Sequence, residues 1–459
     1  MKILIIGGGV IGKAIAEFLS SKKHTVTVIE KDPDKSQQLS IQLEATVIEG
    51  SALSPAVLDD ANISDTDLCL SLTGNAELNL VTASLAKGMG AKRVAARVYA
   101  DIFDGMGEFD FASHFGIDRL LCVEHLTATA MVRKIGEPVI MNDHIARDRI
   151  KVQDIAITKE TKVCGVPLRE LKLPSEVRIG AIRRKTAAED SEEPIEETFI
   201  PNADTVIKLG DQITIIGLPK WIEAIEKRFE QTGAKQAVSI IGGSRSGVCL
   251  AKILKAQRYR VRLLEKEERR AKALSKKLAG TCDILHADAR RVESLLNDAE
   301  VREETIFIAA SDDDEDNVMT CLEAGQLGVK RTITLIRHSD YASVLKKLGL
   351  NETVSPYYLV QQEVESLLQT GPVRYKNSDA VGGGILLVEL DVGENSPLTQ
   401  KQLKDVDRPK DSLLIARIRG NAIAVPGADD ILEAGDIIVA LVYEKDLPAL
   451  IDAVTAQKG

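Results

Sequence analysis

Met1-Lys2-Ile3-Leu4-Ile5-Ile6-Gly7-Gly8-Gly9-Val10-Ile11-Gly12 opens the chain, and its reading decides the fold. An apolar run of strand length ends in Gly7-x-Gly9-x-x-Gly12, and a helical pattern, Ala14-Ile15-Ala16-Glu17-Phe18-Leu19, follows at once. Strand, glycine turn and helix in that order are the fingerprint of a dinucleotide-binding βαβ unit. Gly7 permits the tight turn, Gly9 lets the backbone approach a pyrophosphate, and Gly12 lets the helix pack close to the strand. Gly8, Val10 and Ile11 complete the turn, and the helix N-terminus behind it offers unpaired N–H groups to phosphate. A second strand, Thr25-Val26-Thr27-Val28-Ile29, ends at Glu30, eighteen residues after Gly12, where an acid accepts hydrogen bonds from a ribose diol. A glycine turn that only packs is the competing reading; the strand before it and the acid after it favour nucleotide binding.

The 459 residues exceed one compact domain, so roughly two to four are expected. A net charge of −10 argues against a nucleic-acid partner, and an aromatic content of 3% leaves few rings to stack on single-stranded bases. No apolar run reaches bilayer length; Ile437-Ile438-Val439-Ala440-Leu441-Val442 is strand-sized. The N-terminus reads as the first strand of the fold and not as a signal peptide, so a cytoplasmic protein is expected, with any membrane association made through a partner. The six cysteines (Cys69, Cys122, Cys164, Cys249, Cys282, Cys321) form no C-x-x-C pair and read as reduced core residues. Asp143-His144 is a conceivable metal pair, but a satisfied or surface histidine is the better reading.

After Glu30 the α/β alternation continues. A helix is expected over 34–43, strands over 46–49 and 67–72, a helix from Ala76 to about Met89, and strands over 93–98 and 120–123. Such alternation implies a parallel sheet with ligands at the carboxyl ends of its strands. From about Arg149 the pattern turns to short strands: 150–152, 155–157, 177–182 with Arg183-Arg184-Lys185 behind it, and two more between Pro201 and Ile216 around Gly210-Asp211. The acidic stretch Ala188 to Glu197 reads as a solvated hairpin loop, and Trp221 to Phe229 as a helix. This is a small α+β domain.

The chain then starts again. Ala237-Val238-Ser239-Ile240-Ile241 leads into Gly242-Gly243-Ser244-Arg245-Ser246-Gly247, and Glu265 follows Gly242 at the spacing by which Glu30 follows Gly7. Thr73-Gly74-Asn75-Ala76-Glu77-Leu78-Asn79 recurs as Ser311-Asp312-Asp313-Asp314-Glu315-Asp316-Asn317, and Pro201 to Asp204 with Gly210-Asp211 recurs as Pro426 to Asp429 with Gly435-Asp436. The fold class is therefore α/β: tandem Rossmann-like doubly wound parallel sheets, each followed by a small α+β domain, over 1–125, 140–225, 233–355 and 372–457.

These marks carry a resemblance. Each half resembles an RCK unit (regulator of potassium conductance), and the duplicated arrangement is similar to the tandem RCK family that serves bacterial Trk potassium uptake. The shared marks are the glycine turn, the acid after strand two, the Thr73-to-Asn79 stretch, and an Arg on strand five, here Arg97. The resemblance implies nucleotide contacts from residues 7–12, Glu30, Ser51, Thr73, Gly74, Glu77, Asn79 and Arg97 in the first half. In the second it implies Gly242, Gly243, Ser244, Arg245, Ser246, Gly247, Glu265, Asp288, Ser311 and Asp314. It also implies NAD or NADH as ligand, with ATP or ADP competing, and tetramers forming a ring of eight nucleotide-binding domains. That ring would dock under a membrane potassium-transporter subunit (TrkH/TrkG-like) at the cytoplasmic face of the inner membrane.

The departures from the pattern matter. Ser51 stands where the family has Asp, and Ala76 replaces the Asp of its stretch; in the second half Asp288 is present, Ser244 replaces the second glycine, and Leu335 aligns with Arg97. A side chain at Ser244 is expected to crowd a pyrophosphate, with Arg245 nearby to contribute a cation. Two sites of unequal preference follow, the first being the better NAD site; an empty, degenerate second site is the alternative. Asp312 to Asp316 fits no calcium loop and reads as solvated carboxylates at a helix start, with no metal expected.

An enzyme would need an acid or base near the nicotinamide, and no histidine, lysine or tyrosine recurs near the two switch points. The expectation is a non-enzymatic binding module that gates potassium uptake. A regulatory subunit of another monovalent-cation channel or antiporter remains open, and an NAD-dependent oxidoreductase is the weaker alternative.

Overall fold

The computed structural model describes residues 1–100, 111–135, 140–141, 150–157, 163–186, 195–218, 220–222, 225, 237–257, 259–291, 306–337, 345, 347–350, 352–368, 371–420 and 422–455. Three readings fall partly or wholly elsewhere: the Asp143-His144 pair, the acidic stretch from 188 to 194, and the end of the helix expected up to Phe229 all lie outside the described residues.

The first lobe runs β1 (Lys2–Ile6), α1 (Val10–Ser21), β2 (Thr25–Glu30), α2 (Pro33–Gln42), β3 (Thr46–Glu49), α3 (Pro55–Asp60), β4 (Leu68–Ser71), α4 (Ala76–Gly88), β5 (Arg93–Arg97), α5 (Phe111–Phe115), β6 (Arg119–Leu121) and α6 (Val123–Lys134). Its strands are parallel in the order β3-β2-β1-β4-β5-β6. The order reverses between β1 and β4, and a ligand crevice opens at that point in doubly wound sheets. Ile3, Leu4, Ile5 and Ile6 are all buried, because helices cover both faces of a parallel sheet. Asp32 caps α2 by accepting from the N–H of Asp34 and Lys35, and Pro33 fits its first turn.

The first small domain holds β7 (Ile140–Met141), β8 (Lys151–Ala156), β9 (Val177–Thr186), β10 (Ile195–Phe199) and β11 (Gln212–Gly217), antiparallel in the order β10-β9-β11-β8-β7. Three expectations change here. The strands expected at 150–152 and 155–157 are one strand, β8. The two strands expected between Pro201 and Ile216 are one, β11, with only isolated bridges at Val206 and Ile207. Residues 195–197, expected in a loop, pair in β10 with β9, where Glu196 meets Arg183 at 3.3 Å.

The second lobe repeats the first: β12 (Ala237–Ile241), α7 (Arg245–Ala256), β13 (Arg260–Glu265), α8 (Glu268–Lys277), β14 (Asp283–His286), β15 (Ile306–Ala309), α9 (Asp314–Gln326), β16 (Arg331–Leu335), β17 (Glu352–Val354) and α10 (Pro356–Leu367), in the order β14-β13-β12-β15-β16-β17. The last small domain holds β18 (Val373–Gly382), β19 (Ile385–Asp391), β20 (Ser412–Arg419), β21 (Ala422–Ala424), β22 (Ile437–Tyr443) and α11 (Leu447–Val454). The Gly-Asp landmark now has a cause: Asp211 and Asp436 are 1% exposed and each takes a bidentate guanidinium, from Arg184 and Arg419 respectively, at 2.7–2.8 Å.

The chain divides into two compact units, Met1–Gly136 with Ala234–Val364 and Glu137–Gly233 with Glu365–Gly459. The first unit joins the two lobes. α6 packs against α7, Arg331 donates to the Lys134 carbonyl at 2.7 Å, and Arg119 pairs with Glu363 at 2.9 Å. Neither α6 nor α10 was expected from the sequence. Their buried faces carry Glu124, Thr127, Thr129 and Ser366 among apolar residues, so no clean stripe marks them. Four cysteines are buried as expected of core residues, whereas Cys164 and Cys282 are half-buried.

Candidate functional site

The two glycine turns have one construction. Gly7 has φ +100°, and a Cβ there would stand 2.9 Å from Thr73 Cγ2 and 3.0 Å from its backbone; Gly242 has φ +95° against Ser311. A Cβ on Gly12 would collide with the Gly7 carbonyl, and one on Gly247 with that of Gly242, so helix and turn meet only as glycine on glycine. Glu30 and Glu265 brace these turns from below. Glu30 Oε2 accepts from Gly8 N–H at 2.8 Å and Oε1 from Asp32 N–H at 3.0 Å; Glu265 accepts from Gly243 and Glu267, both at 2.9 Å. Each acid is nearly buried, and neither is among the residues that line the cavity between the lobes.

Asn79 and Asn317 hold the next loop. Asn79 Oδ1 accepts from the Thr73 N–H (2.9 Å) and hydroxyl (2.6 Å), and its Nδ2 donates to the carbonyls of Thr73 (3.1 Å) and Arg97 (2.9 Å). Asn317 repeats this with Ser311 and Leu335. Both are fully buried. Their amides tie β4 to β5 and β15 to β16, which leaves them facing the protein and not a ligand.

The halves part at Gly9 and Ser244. Their backbones match, with φ −65° and −59°, and a Cβ at Gly9 meets nothing within 4 Å. The Ser244 side chain does not crowd the phosphate approach as expected. Its hydroxyl turns inward, donating to the Ala310 carbonyl at 2.5 Å and accepting from Gly247 N–H at 3.1 Å as the cap of α7. No side chain caps α1. The first helix end therefore keeps its N–H groups for an anion, while the second already has an internal acceptor.

Between the lobes lies a cavity of about 490 Å³. The sequence implied two separate clefts; both glycine turns in fact open on this shared space. Gly9, Val10, Ile11, Gly74 and Arg97 line it from the first lobe, Ser244, Arg245 and Ser246 from the second, and α6 and α10 add Glu124 and Tyr357. Arg97, Arg245, Arg270 and Arg337 line it together with Glu124 and Asp312, a lining with more arginines than carboxylates and so suited to phosphate. Arg97 lies 3.7 Å from Glu124, and the Arg245 guanidinium stacks on the Tyr99 ring at 3.6 Å. Tyr99 donates to the Gly74 carbonyl, and Arg337 donates to the equivalent carbonyl of Asp312. Arg337 thus restores, two residues further on, the cation lost when Leu335 replaced Arg97. Burial pushes the Tyr357 phenol above its ordinary value.

Several expected contacts sit outside the cavity lining. Ser51 and Glu77 are exposed beyond it, and Thr73 and Ser311 accept or donate within their own loops. Asp288 is held by Arg290, whose guanidinium keeps that carboxyl below the usual carboxylate range. The acids at the start of α9 are in part the solvated caps expected, with Asp312, Asp313 and Glu315 exposed, while Asp312 and Asp316 also form ion pairs. Asp313 caps α9 by accepting from Asp316 N–H at 2.8 Å, and Asp314 accepts from Arg337 N–H at 2.9 Å. Asp316 meets Lys266 at 2.6 Å, a bond that raises the Lys266 ammonium pKa. Glu124, Arg270, Arg337 and Tyr357 escaped the sequence reading. Only Arg337 left a trace there, standing close behind the missing strand-five arginine. Among the described residues no helix is long and apolar enough to cross a membrane.

Known proteins share this plan. The TrkA-N domain family matches residues 3–108 and 238–356, and the TrkA-C domain family matches residues 152–230 and 387–454. A Trk system potassium uptake protein TrkA homolog of Archaeoglobus fulgidus is 30% identical over 97% of both chains. The Trk system potassium uptake protein TrkA of Haemophilus influenzae is 27% identical over 98% of both. Among solved structures, the GsuK channel bound to NAD shares the fold, with TM-score 0.58 and 16% identity over 99% of this chain and 78% of that one. With tandem TrkA-N and TrkA-C domains along its length and a relative this similar from end to end, the chain belongs to the TrkA family of Trk-system potassium uptake proteins.

Proposed function

We propose that this chain is the cytosolic nucleotide-binding subunit that gates a membrane potassium-uptake transporter, sensing NAD(H) and adenine nucleotides. The observation that carries the reading is the arginine-lined cavity onto which both glycine turns open. A pyrophosphate on the Gly7–Gly12 turn meets the open end of α1 and, across the cavity, Arg245 of the other lobe. One ligand thereby touches both lobes, and its affinity depends on how the lobes stand to one another. That differential affinity is what a nucleotide needs in order to shift a conformational equilibrium. The related GsuK channel is described as bound to NAD, which supports a dinucleotide in this fold. The buried carboxylates of Glu30 and Glu265 accept ribose hydroxyls and repel a 2′-phosphate, so NADP is disfavoured.

The chain binds its ligand as a signal and leaves it unchanged. Four arginines and two glycines in the lining are suited to holding phosphate. The subunit works as a homotetramer on the cytoplasmic face of the inner membrane, bound to a TrkH/TrkG-like partner. The test joins calorimetry with NADH, NAD, ATP and ADP to potassium uptake in a strain lacking this chain. Binding heat without turnover, together with restored uptake, is expected. Silence toward every nucleotide, or NADH consumption with a substrate, refutes the reading; uptake left unrestored points to another cation channel or antiporter.

A further inference from the structure

The arginines of the second lobe already have an anion. Arg337 Nη2 lies 2.7 Å from Asp312 Oδ1, Arg270 Nη2 lies 3.4 Å from Asp312 Oδ2, and Arg337 also donates to the Asp312 main-chain carbonyl. In the same pose Arg270 donates to the Gly243 carbonyl at 2.9 Å and stands 3.6 Å from Glu265. Its side chain therefore reaches the second glycine turn as well as Asp312. The first lobe has no such bridge, because Gly74 occupies the place of Asp312 and Tyr99 that of Arg337.

We propose that Asp312 is a built-in anion that occupies the arginines beside the second glycine turn, so that the chain takes up one dinucleotide, on the Gly7–Gly12 turn. A second ligand enters only when the bridge from Arg270 through Asp312 to Arg337 opens. The inference rests on the clefts being adenine-nucleotide sites. Charge supports it independently of the local geometry. Arg97, Arg245, Arg270 and Arg337 stand against Glu124 and Asp312 in the lining, with Glu265 3.6 Å from Arg270, so the net positive charge is no more than one dianionic pyrophosphate neutralises. A second pyrophosphate in the same cavity would add unbalanced negative charge at short range, where it is poorly screened. Removing Asp312 removes the internal competitor and one negative charge together.

Asp312 is 61% exposed, so truncating it deletes no packing. Titration of the full chain with NADH is expected to give one site per chain, and Asp312→Ala two. Gly9→Val, at a position where a side chain meets no protein atom, is expected to lose the first site, and the Gly9→Val/Asp312→Ala double variant to retain one. Two sites in the unsubstituted chain, or a stoichiometry unchanged by Asp312→Ala, overturns the lock and leaves the nucleotide reading standing. Absence of binding heat from both proteins overturns the nucleotide reading and the lock with it.

Discussion

Gly9 and Gly12 stand three residues apart in one motif and serve different ends. A methyl group on Gly12 collides with the Gly7 carbonyl, so Gly12→Ala is expected to destabilise the first lobe by about 1–3 kcal/mol. The same methyl on Gly9 faces open space at an ordinary φ of −65°, and Gly9→Ala is expected to leave the melting temperature unchanged while weakening nucleotide binding. Thermal denaturation of the two variants side by side separates the structural glycine from the functional one. Asn79 belongs with the structural group. Asn79→Ala strands the Thr73 N–H and two carbonyls in a buried place, and a loss of about 2–3 kcal/mol is expected by urea denaturation. The sequence motif carries all three residues as one signature; only their surroundings sort them.

Helix ends and buried pairs decide matters at the scale of elements. Ser244 caps α7 from inside, so Ser244→Ala is expected to cost about 1 kcal/mol and to free the Gly247 N–H for an anion. Binding of inorganic phosphate, followed by chemical shifts of the turn amides, reads the second effect. In the last small domain, burial pushes the Asp436 carboxyl up, but bidentate Arg419 and the Glu433 N–H outweigh it and hold the pKa below its ordinary value. A depressed carboxylate contributes stability that is present above the unfolded value of 3.8 and lost as the pH falls below it. Acid titration followed by circular dichroism is expected to show that loss, and Asp436→Asn to remove this part of the pH dependence.

Across the whole molecule, the lobes are joined by contacts that neither lobe makes alone. Arg119 and Glu363 are 8% and 12% exposed at their side chains and pair at 2.9 Å. Removing one member of a nearly buried pair weakens the compensation of the charge that stays and costs up to about 3–5 kcal/mol. Arg119→Ala is therefore expected to loosen the lobes and expose α6 to limited proteolysis, whereas the apolar double variant Arg119→Met/Glu363→Leu is expected to lose less stability than either single change. Equal losses in all three would show that the pair adds nothing across the interface.

Local pattern alone determined the strands of the first parallel sheet, the glycine turns, the acids behind them and the fact of duplication. Each is written in nearby residues: a strand-length apolar run, a Gly spacing, a carboxylate at a fixed distance. The sequence left α6 and α10 in the gaps between expected domains, because Glu124, Thr127 and Thr129 interrupt the apolar face that normally announces a helix. It also implies two clefts where both turns line one cavity, and it does not show that Asp312, an exposed acid at a helix start, pairs with Arg270 and Arg337. Arg245, Arg270 and Asp312 come to line one cavity with the first lobe's turn only after the chain has left that unit and returned to it. Chain neighbours dictate periodicity and turn chemistry; which distant charges share a space depends on how two finished lobes pack, and no local spacing encodes that.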